Sequence, residues 1–340
     1  MSRRRGGCGG CFFRLLLAAF VLAMLAAGGL AYLIYQPYKG FTEPAVVDIP
    51  RGTSTSSIGQ QLAASRVIHY PWQFQILRAV RSSAKLQAGE YQFTRAASAW
   101  TVFDRLVRGD VFFYELTIPE GHNMFDIAKS VDQLKFIKGS DFLRIARSPA
   151  LIHDLAPDAP SLEGYLFPST YRLTRHTTAA QLCRQMTDLF RRRWQELQPV
   201  GRATKKVNET VTLASLIEKE SGVPEERPKV ASVYLNRLRL GMALDCDPTT
   251  IYAALLENRY RGTIHKSDLE SASAYNTYRH GGLPPGPIAS PGLASLQAAL
   301  TPANTDYLYF VARGDGSGGH NFAKTLAEHS RNVALYRRAQ

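Results

Sequence analysis

An uncharged run of 21 residues, LLLAAFVLAMLAAGGLAYLIY at 15–35, constrains this chain more than any other feature. About 20 apolar residues in a helix cross the core of a bilayer, so the run fits one membrane span. Arg3, Arg4, Arg5 and Arg14 precede it, while Lys39, Glu43, Asp48 and Arg51 follow it. The excess of positive charge on the N-terminal side predicts a cytoplasmic tail at 1–14 and an exported chain beyond the span. A cleaved signal peptide is the competing reading. The apolar core of a signal usually has only about 7–15 residues, however. Tyr32, Tyr35, Pro37 and Tyr38 also form the aromatic edge of a membrane interface.

The chain has 340 residues, of which 45% are hydrophobic and 20% charged, so the exported part is too apolar to be disordered and long enough for two domains. A net charge of +13 and a pI near 9.7 call for an acidic partner or surface: nucleic acid, anionic lipid or an anionic cell-wall polymer. The basic residues are scattered, with no basic runs interleaved with stacking aromatics, which argues against nucleic acid. Cys8 and Cys11 form a C-x-x-C with no second pair, and Cys183 and Cys246 stand alone, either as buried thiols or as a disulfide. No histidine spacing suits a metal and no Gly-rich phosphate loop is present, so neither a metal nor a cofactor is expected.

The exported half begins with a duplication. IPRGTSTSSIGQQLAASRVI at 49–68 matches IPEGHNMFDIAKSVDQLKFI at 118–137, each reading as a strand, a turn at Gly and an amphipathic helix. In the first copy Ile58, Leu62 and Ala63 share the buried face. YQFTRAASAWTVFDRL at 91–106 then matches YRLTRHTTAAQLCRQM at 171–186. The offset grows from 69 to 80, which places an insertion within SPALIHDLAPDAPSLEGYLFPST. A loop carrying Glu163, Tyr165 and Phe167 on a repeated scaffold is where function concentrates. Beyond 187 the pattern turns mainly helical: a basic helix over Leu189–Leu197, a Lys-rich turn, a helix from Asn208 and another over Pro228–Leu240. Pro284, Pro285 and Pro287 then make a rigid loop, and an extended segment ends in a Gly-rich turn.

The richest stretch is NETVTLASLIEKESGVPEERPKV at 208–230. Asn208 suits an N-cap, while Gly222 and Pro224 stop the helix. Val211, Leu213, Ala214, Leu216 and Ile217 make it apolar on nearly every side, so it should be buried, yet Glu218 and Glu220 occupy its last turn. At about 100° per residue the two carboxylates diverge by about 200° and cannot form a pair. Burial and the negative end of the helix dipole both favour a neutral Glu218, the form that a general acid needs. The alternative is a carboxylate paired with Lys219, Arg227 or Lys229 at a frayed, solvated helix end. Helix geometry leaves the two readings open.

LEGYLFPSTY (162–171), ASLIEKES (214–221), DPTTIY (247–252), AYNTY (274–278), GLPPGPIASPG (282–292) and GHNFAKTLAEH (319–329) resemble, in order, the motifs of the MltG/YceG family of endolytic murein transglycosylases. The resemblance spans about 115–337. It implies an α+β chain with a transmembrane helix at 15–35, a LysM-like βα module at 45–115 and a mixed α/β to mainly helical catalytic domain at 116–337. It assigns catalysis to the first Glu of the E-K-E triplet, here Glu218. It also implies peptidoglycan glycan strands as substrate, membrane-bound peptidoglycan synthases as partners, and a single-pass protein of the bacterial cytoplasmic membrane with its catalytic domain on the outer face. A lytic transglycosylase needs no activated water. The muramic acid's C6 hydroxyl attacks its own C1, so one carboxyl suffices where a hydrolase needs two.

The resemblance also suggests that Glu163 and Tyr165 line the cleft and that Asn276 and Tyr278 bind sugar groups. The structural alternative is Asn276 satisfying a buried loop and Tyr278 packing in the core. His320, beside glycines in a flexible turn, either reaches substrate or takes a capping or surface role. Asp247 reads as a helix cap before a second acid. Two further functions compete: a hydrolytic muramidase using Glu163 or Asp247 as second carboxylate, and a non-enzymatic wall-binding scaffold.

Overall fold

A computed structural model of the chain describes residues 8–197 and 206–339. The chain divides into two compact units between Phe113 and Tyr114. The first begins with α1 (Cys8–Tyr35), in which Phe12–Tyr35 is long and apolar enough to cross a membrane. The helix therefore continues N-terminally through Arg14, past the uncharged run. Its other end is tied to the unit: Gln73 Nε2 donates to the Leu33 carbonyl at 2.6 Å and Tyr35 packs on Trp100.

Five elements follow: β1 (Ala45–Ile49), α2 (Thr55–Ala64), α3 (Pro71–Val80), β2 (Gly89–Phe93) and α4 (Ala99–Arg108). Ser54 and Ser98 cap α2 and α4 by accepting from the Ser57 and Thr101 amides, and Pro71 opens α3 where no amide donor is needed. β1 and β2 pair antiparallel, with Ala45 opposite Phe93 and Ile49 opposite Gly89. Beneath this sheet Ile58, Leu62, Phe74, Tyr91, Val102, Phe103 and Leu106 form one core, each worth about 1.5–3 kcal/mol when fully buried.

The second unit starts by repeating that order. β3 (Tyr114–Thr117), α5 (Met124–Asp132), α6 (Gly139–Ala146), β4 (Thr170–Leu173) and α7 (Ala179–Leu197) again run strand, helix, helix, strand, helix. The register repeats too: Tyr114 faces Leu173 as Ala45 faces Phe93, related by the same offsets of 69 and 80. The duplication read from sequence is therefore structural, and the insertion falls between α6 and β4. One expectation changes. The basic helix over Leu189–Leu197 is only the end of α7, which starts at Ala179 and carries Leu182, Met186, Phe190 and Trp194 on one buried stripe. The Lys-rich turn after it, at 198–205, lies outside the described residues, as do Arg3, Arg4 and Arg5.

The rest of the unit comprises α8 (Val207–Glu220), α9 (Arg227–Arg239), α10 (Asp247–Leu256), α11 (Lys266–Leu269), α12 (Leu293–Leu300), the hairpin β5 (Tyr309–Ala312) and β6 (His320–Ala323), and α13 (Leu326–Ala339). The chain is thus a mixed α/β protein, about half helical, and its described strands form three two-stranded antiparallel sheets. α8 is central to the second unit, with its residues from Thr210 to Ile217 all buried. Lys206, not Asn208, is its N-cap residue. The Asn208 side chain instead accepts from the Tyr165 hydroxyl at 3.0 Å and donates to the carbonyls of Asp158 and Pro285, so it clasps the insertion and the Pro-rich loop onto α8. Ser215 does the same further along, accepting from the Ile288 amide at 3.1 Å. Cys183 and Cys246 are separate buried thiols, and Cys246 Sγ donates to Glu220.

Candidate active site

Helical phase sends the two carboxylates at the end of α8 to different partners, as expected. Glu220 faces Cys246 Sγ and the Tyr234 hydroxyl, and burial raises its pKa. A cavity of about 410 Å3 opens on that side, lined by Glu220, Tyr234, Asp245, Asp247 and Tyr309. Glu218 turns the other way. Its side chain is 5% exposed, its Oε1 accepts from Arg227 Nη2 at 3.1 Å, and its Oε2 accepts from the Gly292 amide at 2.9 Å.

Of the two readings of Glu218 from sequence, the pairing with Arg227 is what the structure shows, but in a buried setting. The carboxyl is not uncompensated, because a guanidinium and an amide both donate to it. Nor is it a solvated pair at a frayed end, because Arg227 is itself only 8% exposed. Arg227 opens α9, directly after the single turn Pro224–Glu226 that reverses the chain beyond α8, so the Gly222–Pro224 break places the guanidinium against the helix it follows. Charge-assisted bonds of this kind are stronger than neutral ones and fix the carboxylate's orientation.

Two loops close around Glu218. The turn after β3, Ile118-Pro119-Glu120-Gly121, approaches so near that a Cβ on Gly121 would stand 3.7 Å from Glu218 Cγ. The Pro-rich loop meets that turn through two backbone bonds, Gly121 amide to Ser290 carbonyl at 2.9 Å and Ser290 amide to His122 carbonyl at 2.8 Å. Lys219 Nζ donates to the Gly121 carbonyl at 3.3 Å.

This closure brings in a carboxylate that the sequence did not reveal. Glu120 Oε2 lies 3.8 Å from Arg227 Nη1, with its side chain 51% exposed. Its pKa is raised by burial first and then by the charge of Glu218, against the opposing pull of Arg227. One sequence signal could have exposed it. The two copies of the Ile-Pro-x-Gly turn carry Arg51 and Glu120 at the same place, a charge reversal within an otherwise matched motif.

The remaining candidates lie elsewhere. Glu163 is fully buried and accepts from the Met124 amide at 2.8 Å and from the Gly164 amide. Burial pushes its pKa up to about 8, opposed by those amides and the Tyr252 hydroxyl. Its neighbour Tyr165 is also buried, on Asn208. Neither side chain presents surface to a substrate, because the insertion folds inward onto α5 and α8. Asn276 is buried as well. Its Nδ2 donates to the Leu269 and Ser271 carbonyls at 2.9 and 2.8 Å, which supports the structural alternative of a loop clasp.

Tyr278 is 38% exposed rather than core-packed, and its hydroxyl donates to Asp247 at 2.7 Å. Asp247 is the first residue of α10, and Cys246 is its N-cap. His320 caps no turn. Its amide and ring Nδ1 both meet the Glu226 carboxylate at 2.9 Å, tying the β5–β6 hairpin to the turn beside Arg227. Among the described residues no group of three His, Cys, Asp or Glu side chains is placed to hold a metal ion.

The profile of the YceG-like family matches residues 47–335, nearly all of the chain after α1. The chain belongs to the YceG-like family. It is 32% identical over 311 residues to the endolytic murein transglycosylase of Bacillus subtilis, covering 85% of this chain and 84% of that protein. The endolytic murein transglycosylase of Streptococcus pneumoniae is 31% identical over 354 residues, covering 92% of this chain and 63% of its own longer chain. A crystal structure of a yceG-like protein from Listeria monocytogenes superposes with a TM-score of 0.54 at 32% identity, over 85% of this chain and 99% of that one.

Proposed function

We propose that this chain is an endolytic peptidoglycan lytic transglycosylase, anchored by α1 in the cytoplasmic membrane, with Glu218 as its catalytic acid. The observation that carries it is the Glu218 carboxyl, nearly buried and aimed by Arg227 and the Gly292 amide, where two loops close on α8 in a relative of named endolytic murein transglycosylases. The Glu218 carboxyl protonates the glycosidic oxygen of the muramyl residue as its C1–O bond breaks. The C6 hydroxyl of the same sugar then attacks C1, its proton passes to a carboxylate of the site, and the strand ends in 1,6-anhydromuramic acid.

The muramidase reading would use two carboxylates on opposite faces of the sugar, about 6.5–9.5 Å apart with water between them, if the anomeric centre is inverted. Glu163 cannot serve in this conformation, because it is sealed in the core, and Asp247 stands with Glu220 and Tyr278 on the other side of α8. The arrangement therefore favours intramolecular attack.

The β1–α2–α3–β2 order supports a LysM-like role for the first unit. A cavity of about 480 Å3 between the β1–α2 turn and the α3–β2 link, lined by Pro50, Thr53, Arg78 and Gln87 among others, offers polar groups to a glycan. Anchoring on the outer face would hold the enzyme beside membrane-bound synthases as strands emerge, and clipping there would limit strand length. The test is product chemistry. The full-length chain in detergent, given uncrosslinked glycan strands, should yield internal fragments with anhydro ends by mass spectrometry. Fragments with reducing ends that carry added water would overturn the reading.

A further inference from the structure

Two carboxylates and one guanidinium meet at the end of α8, leaving one negative charge that a single proton would balance. Arg227 reaches Glu218 through Nη2 at 3.1 Å and Glu120 through Nη1 at 3.8 Å, so one guanidinium spans the two acids. They differ in access. Glu218 is 5% exposed and Glu120 51%, so Glu120 forms the solvent-facing half of the pair. Gly292 is fitted to this arrangement: its amide donates to Glu218, and a Cβ built on it would stand 2.0 Å from the Glu120 carboxyl carbon and from one of its oxygens. Only a residue without a side chain lets both carboxylates occupy these positions at once.

We propose that Glu120 is the second proton-transfer residue of the site, accepting the proton of the C6 hydroxyl as it attacks C1, after Glu218 has protonated the leaving oxygen and that group has departed. This deepens the transglycosylase reading and rests on it. In forming the 1,6-anhydro bridge, the C6 oxygen must approach C1 from the face that the leaving oxygen vacates, so acid and base have to stand on one face of the ring. Two carboxylates on one guanidinium meet that requirement. Two carboxylates across a ring, as inverting hydrolysis uses, would not.

The step balances. Glu218 gives its proton to the glycosidic oxygen as the C1–O bond breaks, and the C6 oxygen forms the new bond to C1. The proton of that hydroxyl passes to the Glu120 carboxylate. Turnover leaves Glu218 ionised and Glu120 protonated, and one proton returning from Glu120 to Glu218 resets the pair. Burial raises the proton affinity of Glu120, and the charge that Glu218 acquires on giving up its proton raises it further, at the point in the cycle where Glu120 accepts one. Lys219, on α8 and bonded to the Gly121 carbonyl, and His122, on the turn after β3, are the other titratable groups beside the closing loops.

The experiment uses the full-length chain in detergent with glycan strands and follows anhydro ends. Glu120→Gln should lower kcat by about 100-fold or more with KM within about threefold, the size expected when one proton-transfer group is removed. The acidic limb of its pH–rate profile should also disappear. Glu120→Ala should be rescued severalfold by added formate. Gly292→Ala keeps Glu120 but displaces its carboxyl, so it should lose activity to a similar degree while melting within a few degrees of wild type, because φ of −76° at this position suits alanine.

A rate within threefold of wild type in Glu120→Gln would overturn the proposal. A slow Glu120→Gln enzyme that keeps its acidic limb, with a Glu120→Ala enzyme that formate does not rescue, would overturn it too, since that is what a mere support for Arg227 predicts. If the wild-type chain itself makes no anhydro ends, the transglycosylase reading fails along with the proposal. That outcome is distinct from a failure of Glu120 alone.

Discussion

Replacing Arg227 by Met removes a guanidinium that is 8% exposed and keeps most of the side chain's apolar bulk. Three contacts disappear: Glu218 at 3.1 Å, the Ser221 carbonyl at 3.5 Å and Glu120 at 3.8 Å. Glu218 then keeps only the Gly292 amide as a donor, in a site where it is 5% exposed. Breaking a buried ion pair by deleting one partner costs about 3–5 kcal/mol, and with both side chains this well covered no discount for solvent screening applies. In a unit of this size that corresponds to roughly 6–20 °C in the thermal midpoint.

Glu218→Gln should cost less, on the order of 1–2 kcal/mol, because Glu120 still faces the guanidinium. The double variant should then be more stable than the two single losses predict, by about 1.5–3 kcal/mol, since it buries neither charge alone. Near-UV circular dichroism melts of the four proteins in one detergent measure this coupling. A coupling below about 0.5 kcal/mol would show that the pair is not formed in solution, and the account of how Glu218 is held would fall.

Three other outcomes follow from the packing. The folded chain keeps a proton on Glu163, whose pKa is about 8, that the unfolded chain releases near pH 4.5, so its contribution to stability is complete below that lower value and is lost as pH rises to about 8. The loss is at most about 1.4 kcal/mol per pH unit, and Glu163→Gln should flatten the melting midpoint across that window. Gly164→Ala should destabilise the second unit by roughly 2–5 kcal/mol in the same melts, because Gly164 has φ +82° and its new Cβ would stand 2.4 Å from Pro287 Cβ. Asn276→Ala removes the donor that gathers the loop after α11, and hydrogen exchange of 268–280 should accelerate by at least about tenfold, the equivalent of one or two lost buried bonds.

Much of the scaffold was legible because its causes are local. The 21-residue apolar run, the matched Ile-Pro-x-Gly turns and the shift from 69 to 80 in their spacing show directly in the order of elements and the strand register. The burial of α8 followed from its composition, and the divergence of Glu218 and Glu220 from helical phase alone. What stayed hidden depends on pairing between distant segments. Nothing near Glu218 announces that Glu120 will come to share Arg227, or that the Gly292 amide will cap the carboxylate. The insertion was located correctly, but its Glu163 and Tyr165 turn inward because Met124 and Asn208 hold partners for them, which a linear pattern cannot show. Arg227 was legible as one of three possible partners of Glu218, because it stands just past the turn that ends the helix, but its burial against α8 was not.

The central claim is that Glu218 carries the chemistry, and Glu218→Gln tests it most directly, since the amide keeps the side chain's shape and its acceptor oxygen for the Gly292 amide. Release of anhydro-ended fragments from uncrosslinked strands should fall by at least about 100-fold, with strand binding and the near-UV spectrum retained. A Glu218→Gln protein that releases those fragments within threefold of the wild-type rate would contradict it.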